Sequence, residues 1–270
     1  MRAHPNFVVF ARGSEDLVHE PREARKPLAL IDIQPVNQPI TLLQHRLYNV
    51  CIAFAQAKAN AEYLDVFEFP LSQVRQLCGF DSNNHGYFTS AAQQLQNLSV
   101  RRCVTAFASS PSSPPNLTND RSAPGRAATE QTDGPLLSRI SVDGASNLMQ
   151  VEFPVEVKRL IMTASQSRPV DLGTQARFTS RAGLALYELC LQYEPKGATP
   201  WMPWQSYSGM LSGTPDGHTK FADFGKQVRR AVDQVNQLTD IKLRIEFTKH
   251  GRVSQNLRVL HQRASQASRS

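Results

Sequence analysis

Cysteine is scarce in this chain, and its spacing is uninformative: Cys51, Cys78, Cys103 and Cys190 lie far apart, and no C-x-x-C pair occurs. That excludes a disulfide framework and a zinc site of the usual spacing, and the four residues read as reduced, partly buried thiols. No apolar run approaches the roughly 18 to 20 residues that span a bilayer, so no membrane partner is expected. The start has no signal-peptide h-region, because Arg12, Glu15 and Asp16 follow almost directly on Phe7–Phe10; a cytoplasmic protein is expected. Catalytic signatures are missing too. There is no G-x-x-x-x-G-K-[ST] for a nucleotide, no H-E-x-x-H and no G-x-S-x-G. No two histidines stand two apart, which removes the metal-binding pair of a nicking enzyme. The expectation is a protein that is not an enzyme and takes no cofactor and no metal.

What remains is basic and globular in composition. The 270 residues are 40% hydrophobic and 20% charged, enough for a real core. Lys and Arg outnumber Asp and Glu by 30 to 23, a net charge of +7 with a pI near 9.4. That balance favours an anionic partner, most commonly nucleic acid. Residues 1–39 carry Pro5, Pro21, Pro27, Pro35 and Pro39 and the charged cluster Arg22–Lys26 without periodicity, and they read as a flexible arm. Ser109–Pro135 is rich in Ser, Pro and Gly and reads as a disordered insertion. A flexible tail is expected over 262–270. Two structured blocks are left, 40–164 around the insertion and 174–261.

The two blocks resemble each other. Leu47-Tyr48-x-x-Cys51 recurs as Leu186-Tyr187-x-x-Cys190, and Phe54 falls on Tyr193 at the same offset. QLQNLS (Gln94–Ser99) matches QVNQLT (Gln234–Thr239) one residue out of that offset, and Phe107 then falls on Phe247. Such ordered matches point to internal duplication. Each block opens with an amphipathic helix: Leu43, Leu47, Val50, Cys51 and Phe54 share one face, as do Gly183, Leu186, Tyr187, Cys190 and Tyr193. A short helix follows, with Pro at its first turn (Pro70, Pro203) and Gly at its end (Gly79, Gly213). A third helix comes next, over 86–98 or 218–238. Strands then alternate: 100–108, 137–142 and 147–153 in the first copy, 241–247 and 253–260 in the second. Thr248–Arg252 contains the Gly of a tight turn. Three helices followed by a β-hairpin make an α+β winged-helix unit. The expected fold is two tandem winged-helix domains related by internal duplication, with the Pro-rich insertion inside the first wing.

The third helix of the second copy is the sharpest candidate for chemistry. Phe221, Phe224, Val228, Ala231, Val235 and Leu238 form one stripe, and Lys226 and Arg230 point nearly opposite it. Arg229 lies on a flank and Lys220 at the first turn. A helix packed by one face and basic on the other can enter the major groove, where Arg and Lys reach phosphates or guanine acceptors. The plainer alternative is a solvated face, since Asp223 and Asp233 share the polar side. Lys249, His250 and Arg252 at the hairpin tip would track the phosphate backbone. The first copy offers Thr89, Ser90, Gln93, Gln94 and Asn97 on its third helix, where the amides suit adenine; Arg101 and Arg102 could clamp phosphates. Trp201 and Trp204 suit packing better than base stacking, because no basic groove of interleaved aromatics surrounds them.

Together ALYELC (Ala185–Cys190), TPWMP (Thr199–Pro203) and the run from Phe221 through FGKQVRRAV (Phe224–Val232) to Val235-Asn236 carry a family resemblance. Over about residues 40–261 the chain resembles the iteron-binding replication initiators of theta-replicating bacterial plasmids. The resemblance implies two winged-helix domains binding opposite ends of one direct repeat of double-stranded origin DNA as a monomer. It also implies self-association into dimers that repress the initiator's own gene, and recruitment of the host initiator and replicative helicase. By position it assigns DNA contact to Lys220, Lys226, Arg229 and Arg230. A winged-helix transcriptional repressor without a replication role is the alternative. A scaffold whose winged helices bind protein would lack steep salt dependence.

Overall fold

The computed structural model describes residues 20–58, 61–82, 84–104, 130–250 and 253–264. In chain order the elements are β1 (Glu23–Pro27), β2 (Ile33–Pro35), α1 (Leu42–Ala57), β3 (Phe67–Pro70), α2 (Leu71–Leu77), α3 (His85–Gln96), β4 (Ser99–Val104), β5 (Glu130–Pro135), β6 (Arg139–Asp143), β7 (Leu148–Glu152), α4 (Val155–Thr163), β8 (Ser167–Asp171), α5 (Leu172–Arg177), α6 (Arg181–Gln192), β9 (Met202–Pro203), α7 (Trp204–Ser212), α8 (Phe221–Leu238), β10 (Ile241–His250) and β11 (Val253–Arg263). Two hydrophobic cores form. One gathers Leu47, Phe54, Phe67, Phe69, Phe88 and Leu95; the other gathers Leu186, Tyr207, Phe224, Val228 and Leu257.

The same winged-helix plan is built twice. In the second unit α6, β9, α7 and α8 lead into the hairpin β10–β11, in a sheet of order β10-β11-β9. In the first, α1, β3, α2 and α3 lead eventually into β6–β7, in a sheet of order β3-β7-β6. The matching order makes β6–β7 the first wing. The expected alignment of 100–108 with 241–247 is therefore corrected: β4 is not the counterpart of β10. It is the middle of a separate sheet, β2-β4-β5. The insertion consequently lies between β4 and β5 rather than inside the wing. Its last six residues, Glu130–Pro135, are β5 and pair in register with β4, while 105–129, Phe107 among them, lie outside the described residues.

Local chemistry sets the helix ends. Thr41 and Gln44 form a reciprocal capping box at α1, with Thr41 N–H donating to Gln44 Oε1 at 2.8 Å and Gln44 N–H donating to Thr41 Oγ1 at 3.2 Å. Ser180 caps α6 by accepting from Gly183 N–H at 3.1 Å, and Asn84 caps α3 by accepting from Tyr87 N–H at 3.0 Å. Pro70 and Pro203 prove to be N-caps that end strands, one position before the helices they precede. Gly79 and Gly213 sit beyond α2 and α7 at φ +61° and +73°. A Cβ on Gly79 would lie 3.0 Å from Ala176 O; one on Gly213 would lie 2.7 Å from Ile40 O. Both glycines thus end a helix and allow a close approach between the units.

The expected flexible arm is corrected from residue 20 onward. β1 pairs antiparallel with β8, and β2 pairs with β4. Ala24, Lys26, Leu30 and Ile33 are buried. Prolines are compatible here because β1 and β2 are edge strands, where a missing N–H leaves no ladder position unpaired. β8, in the gap between the expected domains, is the strand that receives β1. At the other end β11 continues to Arg263, paired with Ile241, so the tail begins later than expected. Residues 1–19 and 265–270 lie outside the described residues.

α1 and α6 also depart from a one-faced pattern. Besides the apolar stripe, α1 buries Gln44, His45, Arg46 and Asn49, and α6 buries Arg181, Glu188 and Gln192. The second face of each helix meets the other unit. Lys26 Nζ donates to Glu188 at 2.7 Å, and His45 Nε2 lies 3.1 Å from the same carboxylate. Burial alone would raise the Glu188 pKa, but His45 and Lys26, by charge and hydrogen bonding, hold it down at about 2. Burial lowers His45 to about 4 against the pull of Glu188, so the imidazole is neutral at pH 7.

These shifts make stability depend on acid. Glu188, depressed from 4.5, contributes above that value and loses its contribution as pH falls toward 2. His45, buried neutral, costs stability as pH falls from 6.5 through 4, because only the unfolded chain takes up the proton. Asp32 acts oppositely: burial raises it to about 6, so its protonation near that pH relieves the fold. Above pH 4.5 His45 and Asp32 offset one another, so the expected result is a Tm that falls chiefly between pH 4.5 and pH 2, as Glu188 is protonated, in a thermal melt. A Tm that rises over that window would contradict the ionised assignment of Glu188.

Candidate nucleic-acid interface

α8 is held by its stripe. Phe224, Val228, Ala231 and Val235 are fully buried. Phe221 packs edge-on to Trp204 at 5.7 Å and to Phe247 at 5.5 Å, while Trp204 lies 5.6 Å from Phe224. The start of the helix is thereby fixed to α7 and to the hairpin. Trp204 packs as expected, and Trp201 lies beneath the Arg258 guanidinium at 4.7 Å. Lys220, Lys226, Arg229 and Arg230 are all exposed. Lys226 makes only a loose pair with Asp223 at 4.0 Å. No ion pair engages Lys220, Arg229 or Arg230 among the described residues. One rigid helix therefore presents four cations to solvent.

The hairpin after α8 is long, with a register shift between Phe247 and Lys249. Arg258 and Glu246 brace it at 2.7 Å. The side chains of Lys249 and His250, and Arg252, which make up the expected basic wing tip, lie outside the described residues. Lys242 and Arg244, exposed on β10, were not anticipated; strand alternation would have flagged them.

In the first unit α3 buries Phe88, Ala91, Ala92 and Leu95. Ser90, Gln93, Gln94 and Asn97 are exposed, and Thr89 is half-buried. Gln94 is not a free reader. Its Oε1 accepts from Gln44 at 3.3 Å and its amide lies 3.5 Å from Ser90 Oγ, so the amide is oriented before any ligand arrives. The expected phosphate clamp is corrected. Arg102 is buried on the central strand β4, where alternation turns it inward. Arg101 is half-exposed and gives two hydrogen bonds to Asp133, at 3.0 and 3.2 Å. The first wing carries no cation at its turn: Asp143 accepts from the Ser146 hydroxyl and from Ala145 N–H, which lower its pKa.

Sequence reasoning missed the corner between α2 and α3. Arg75 donates to Ser82 O and to His85 Nδ1 at 3.1 Å, and it covers the Phe80 ring at 5.4 Å. An arginine can only donate, so His85 Nδ1 accepts and its proton sits on Nε2. His85 and Tyr87 are exposed on the first turn of α3. A basic residue on the short helix before the third one was the available signal. No group of three or more His, Cys, Asp or Glu able to hold a metal occurs among the described residues, and none of their helices is long and apolar enough to cross a membrane.

A solved structure agrees with this architecture. The chain is similar over 87% of its length, and 98% of the other's, to the Pi initiator protein solved in complex with iteron DNA, at TM-score 0.57 and 13% identity. It is similar over 83% of both chains to domains 2 and 3 of RctB, at TM-score 0.48 and 8% identity. No curated protein sequence matches. The family described as Initiator Replication protein, WH1, matches residues 26–191, which takes in Lys26, the first unit from α1 to β7, and α6 as far as Leu191. With that span covering more than half of its sequence, and with the winged-helix plan built twice, the chain belongs to the replication initiator family.

Proposed function

We propose that this chain is a plasmid replication initiator that binds direct repeats at an origin, each repeat engaged by both winged-helix units. The carrying observation is α8, a helix packed by one stripe and presenting Lys220, Lys226, Arg229 and Arg230 outward. The iteron DNA bound by the structurally similar Pi initiator supports the choice of ligand. In this reading the cations of α8 and the second wing neutralise phosphates and reach base edges, while Ser90, Gln93 and the oriented Gln94 of α3 add sequence reading. His85 Nε2–H contributes a further donor. Linking two modest readers lengthens the site and raises affinity through effective concentration. Arrays of bound copies then strain adjacent A·T-rich DNA. Recruitment of the host initiator and replicative helicase, and repression of its own gene by a dimer, complete the role. The protein acts in the bacterial cytoplasm without catalysis.

The test is a nuclease footprint on the DNA flanking its own gene. The expected result is protection of several tandem repeats, each about two helical turns long. A single protected palindrome at the promoter would instead identify a repressor, and no protection at low salt would reject DNA binding. The same protein should show a log K against log salt slope of about −3 to −4 from the four α8 cations alone. A flat salt response measured by fluorescence anisotropy would favour a protein-binding scaffold.

A further inference from the structure

The joint between the two units is polar, fully buried, and assembled from segments far apart in sequence. Glu188 on α6 is 0% exposed and receives Lys26 of β1 at 2.7 Å, His45 of α1 at 3.1 Å and Asn49 of α1 at 2.6 Å. Asn49 Nδ2 also donates to Gln175 Oε1 of α5 at 2.9 Å. Arg46, one turn earlier on α1, donates to the carbonyl oxygens of Gln175 at 3.1 Å, Ala176 at 2.9 Å and Phe178. Asn49 and Glu188 occupy equivalent places in the duplicated motif, following Leu47-Tyr48 and Leu186-Tyr187. The two first helices therefore meet at the same point of each unit.

An apolar joint would let two domains slide and rotate at little cost, because the hydrophobic effect is non-directional. A buried carboxylate surrounded by three donors does not allow this. Its geometry is satisfied in one register, and any displacement leaves charged or polar groups unpaired away from water. α3 packs against α1, and α8 packs against α6, so the register of α1 on α6 is also the register between the two DNA-reading helices.

We infer that Glu188, with Lys26, His45 and Asn49, is a positioning device that fixes the offset between the two reading helices and so makes half-site spacing a determinant of specificity. This rests on the proposed two-headed binding of one repeat. One added base pair between the halves moves the second half by about 3.4 Å and roughly 34°. A locked protein cannot follow that displacement; a hinged one can.

The experiment measures binding by fluorescence anisotropy to a duplex carrying one footprinted repeat, with zero or one base pair inserted at its centre. It compares the full-length protein with Glu188→Gln and with the paired variant Lys26→Met plus Glu188→Met. The paired variant removes the Lys26–Glu188 ion pair as a unit, and Arg181, the remaining buried cation nearby, keeps its hydrogen bond to Met210 O, so this variant carries the test if Glu188→Gln fails to fold. For the unaltered protein the insertion should cost about 100-fold in affinity, the lower end of what a second linked contact supplies. For the paired variant, with its thermal transition intact, it should cost less than about 10-fold. A merely structural role for Glu188 would lower the Tm but leave the spacing penalty unchanged, and that outcome overturns the inference alone. If the unaltered protein ignores the insertion, two-headed binding itself is wrong and the inference falls with it.

Discussion

Replacing Lys226 and Arg230 together with alanine lowers affinity for repeat DNA by on the order of 100-fold, without moving the Tm. Both side chains are exposed on α8, and neither contributes to the stripe that packs Phe224, Val228, Ala231 and Val235. The one ion pair removed, Lys226 with Asp223 at 4.0 Å and mostly exposed, is of the kind worth little to stability. In the proposed DNA complex the same cations would lose water and meet phosphate or guanine, where each good contact is worth about 1–3 kcal/mol. Two such contacts account for the expected loss. The loss is accompanied by a salt slope shallower by about 2, because two fewer phosphates are neutralised. Anisotropy titrations at several salt concentrations measure both quantities. Origin opening should disappear with binding. Opening that survives in the double variant would reject the proposal that bound copies strain the adjacent DNA.

Glu188→Ala destabilises the fold by about 3–5 kcal/mol at pH 7, as expected when one member of a buried pair is removed. Lys26 is then left 0% exposed beside His45 with no carboxylate, and Asn49 loses its 2.6 Å acceptor. Burial already holds Lys26 below its ordinary pKa, with Glu188 the main opposing influence; without Glu188 the ammonium sheds its proton or the joint opens. The paired change of Lys26 and Glu188 to methionine should cost less, because it removes the ammonium and the carboxylate together and leaves only Arg181 without its neighbouring carboxylate. Urea denaturation of the two variants decides the matter. Equal losses would mean that packing volume, not charge pairing, holds the joint.

Much of the fold was legible locally. The stripe on α8 was readable because three- and four-residue spacing reports which face is buried: Phe224, Val228, Ala231 and Val235 are buried, and Phe221 and Leu238 partly so. Gly79 and Gly213 marked helix ends for a backbone reason that needs no tertiary knowledge. The exposure of Lys220, Lys226, Arg229 and Arg230 followed from the same periodicity. β1 and β2 were not legible: a charged, proline-rich segment carries no periodic signal, and the partner that makes Lys26 tolerable in the interior is 162 residues away. Arg102 misled for a related reason. An arginine beside the end of a recognition helix suits DNA, yet its placement on the middle strand of β2-β4-β5 turns it into the protein.

The sequence by itself determined that two copies of one helix-and-hairpin unit exist, which faces of their helices pack, and that the second copy's third helix is basic outside. Short-range periodicity and backbone chemistry suffice for those conclusions. Only the tertiary structure decided which hairpin is the first wing, which polar side chains are spent on the protein itself, and how the units are joined. Strand pairing and the neutralisation of buried charge depend on contacts between residues far apart in the chain, and their free energies appear only when those residues meet.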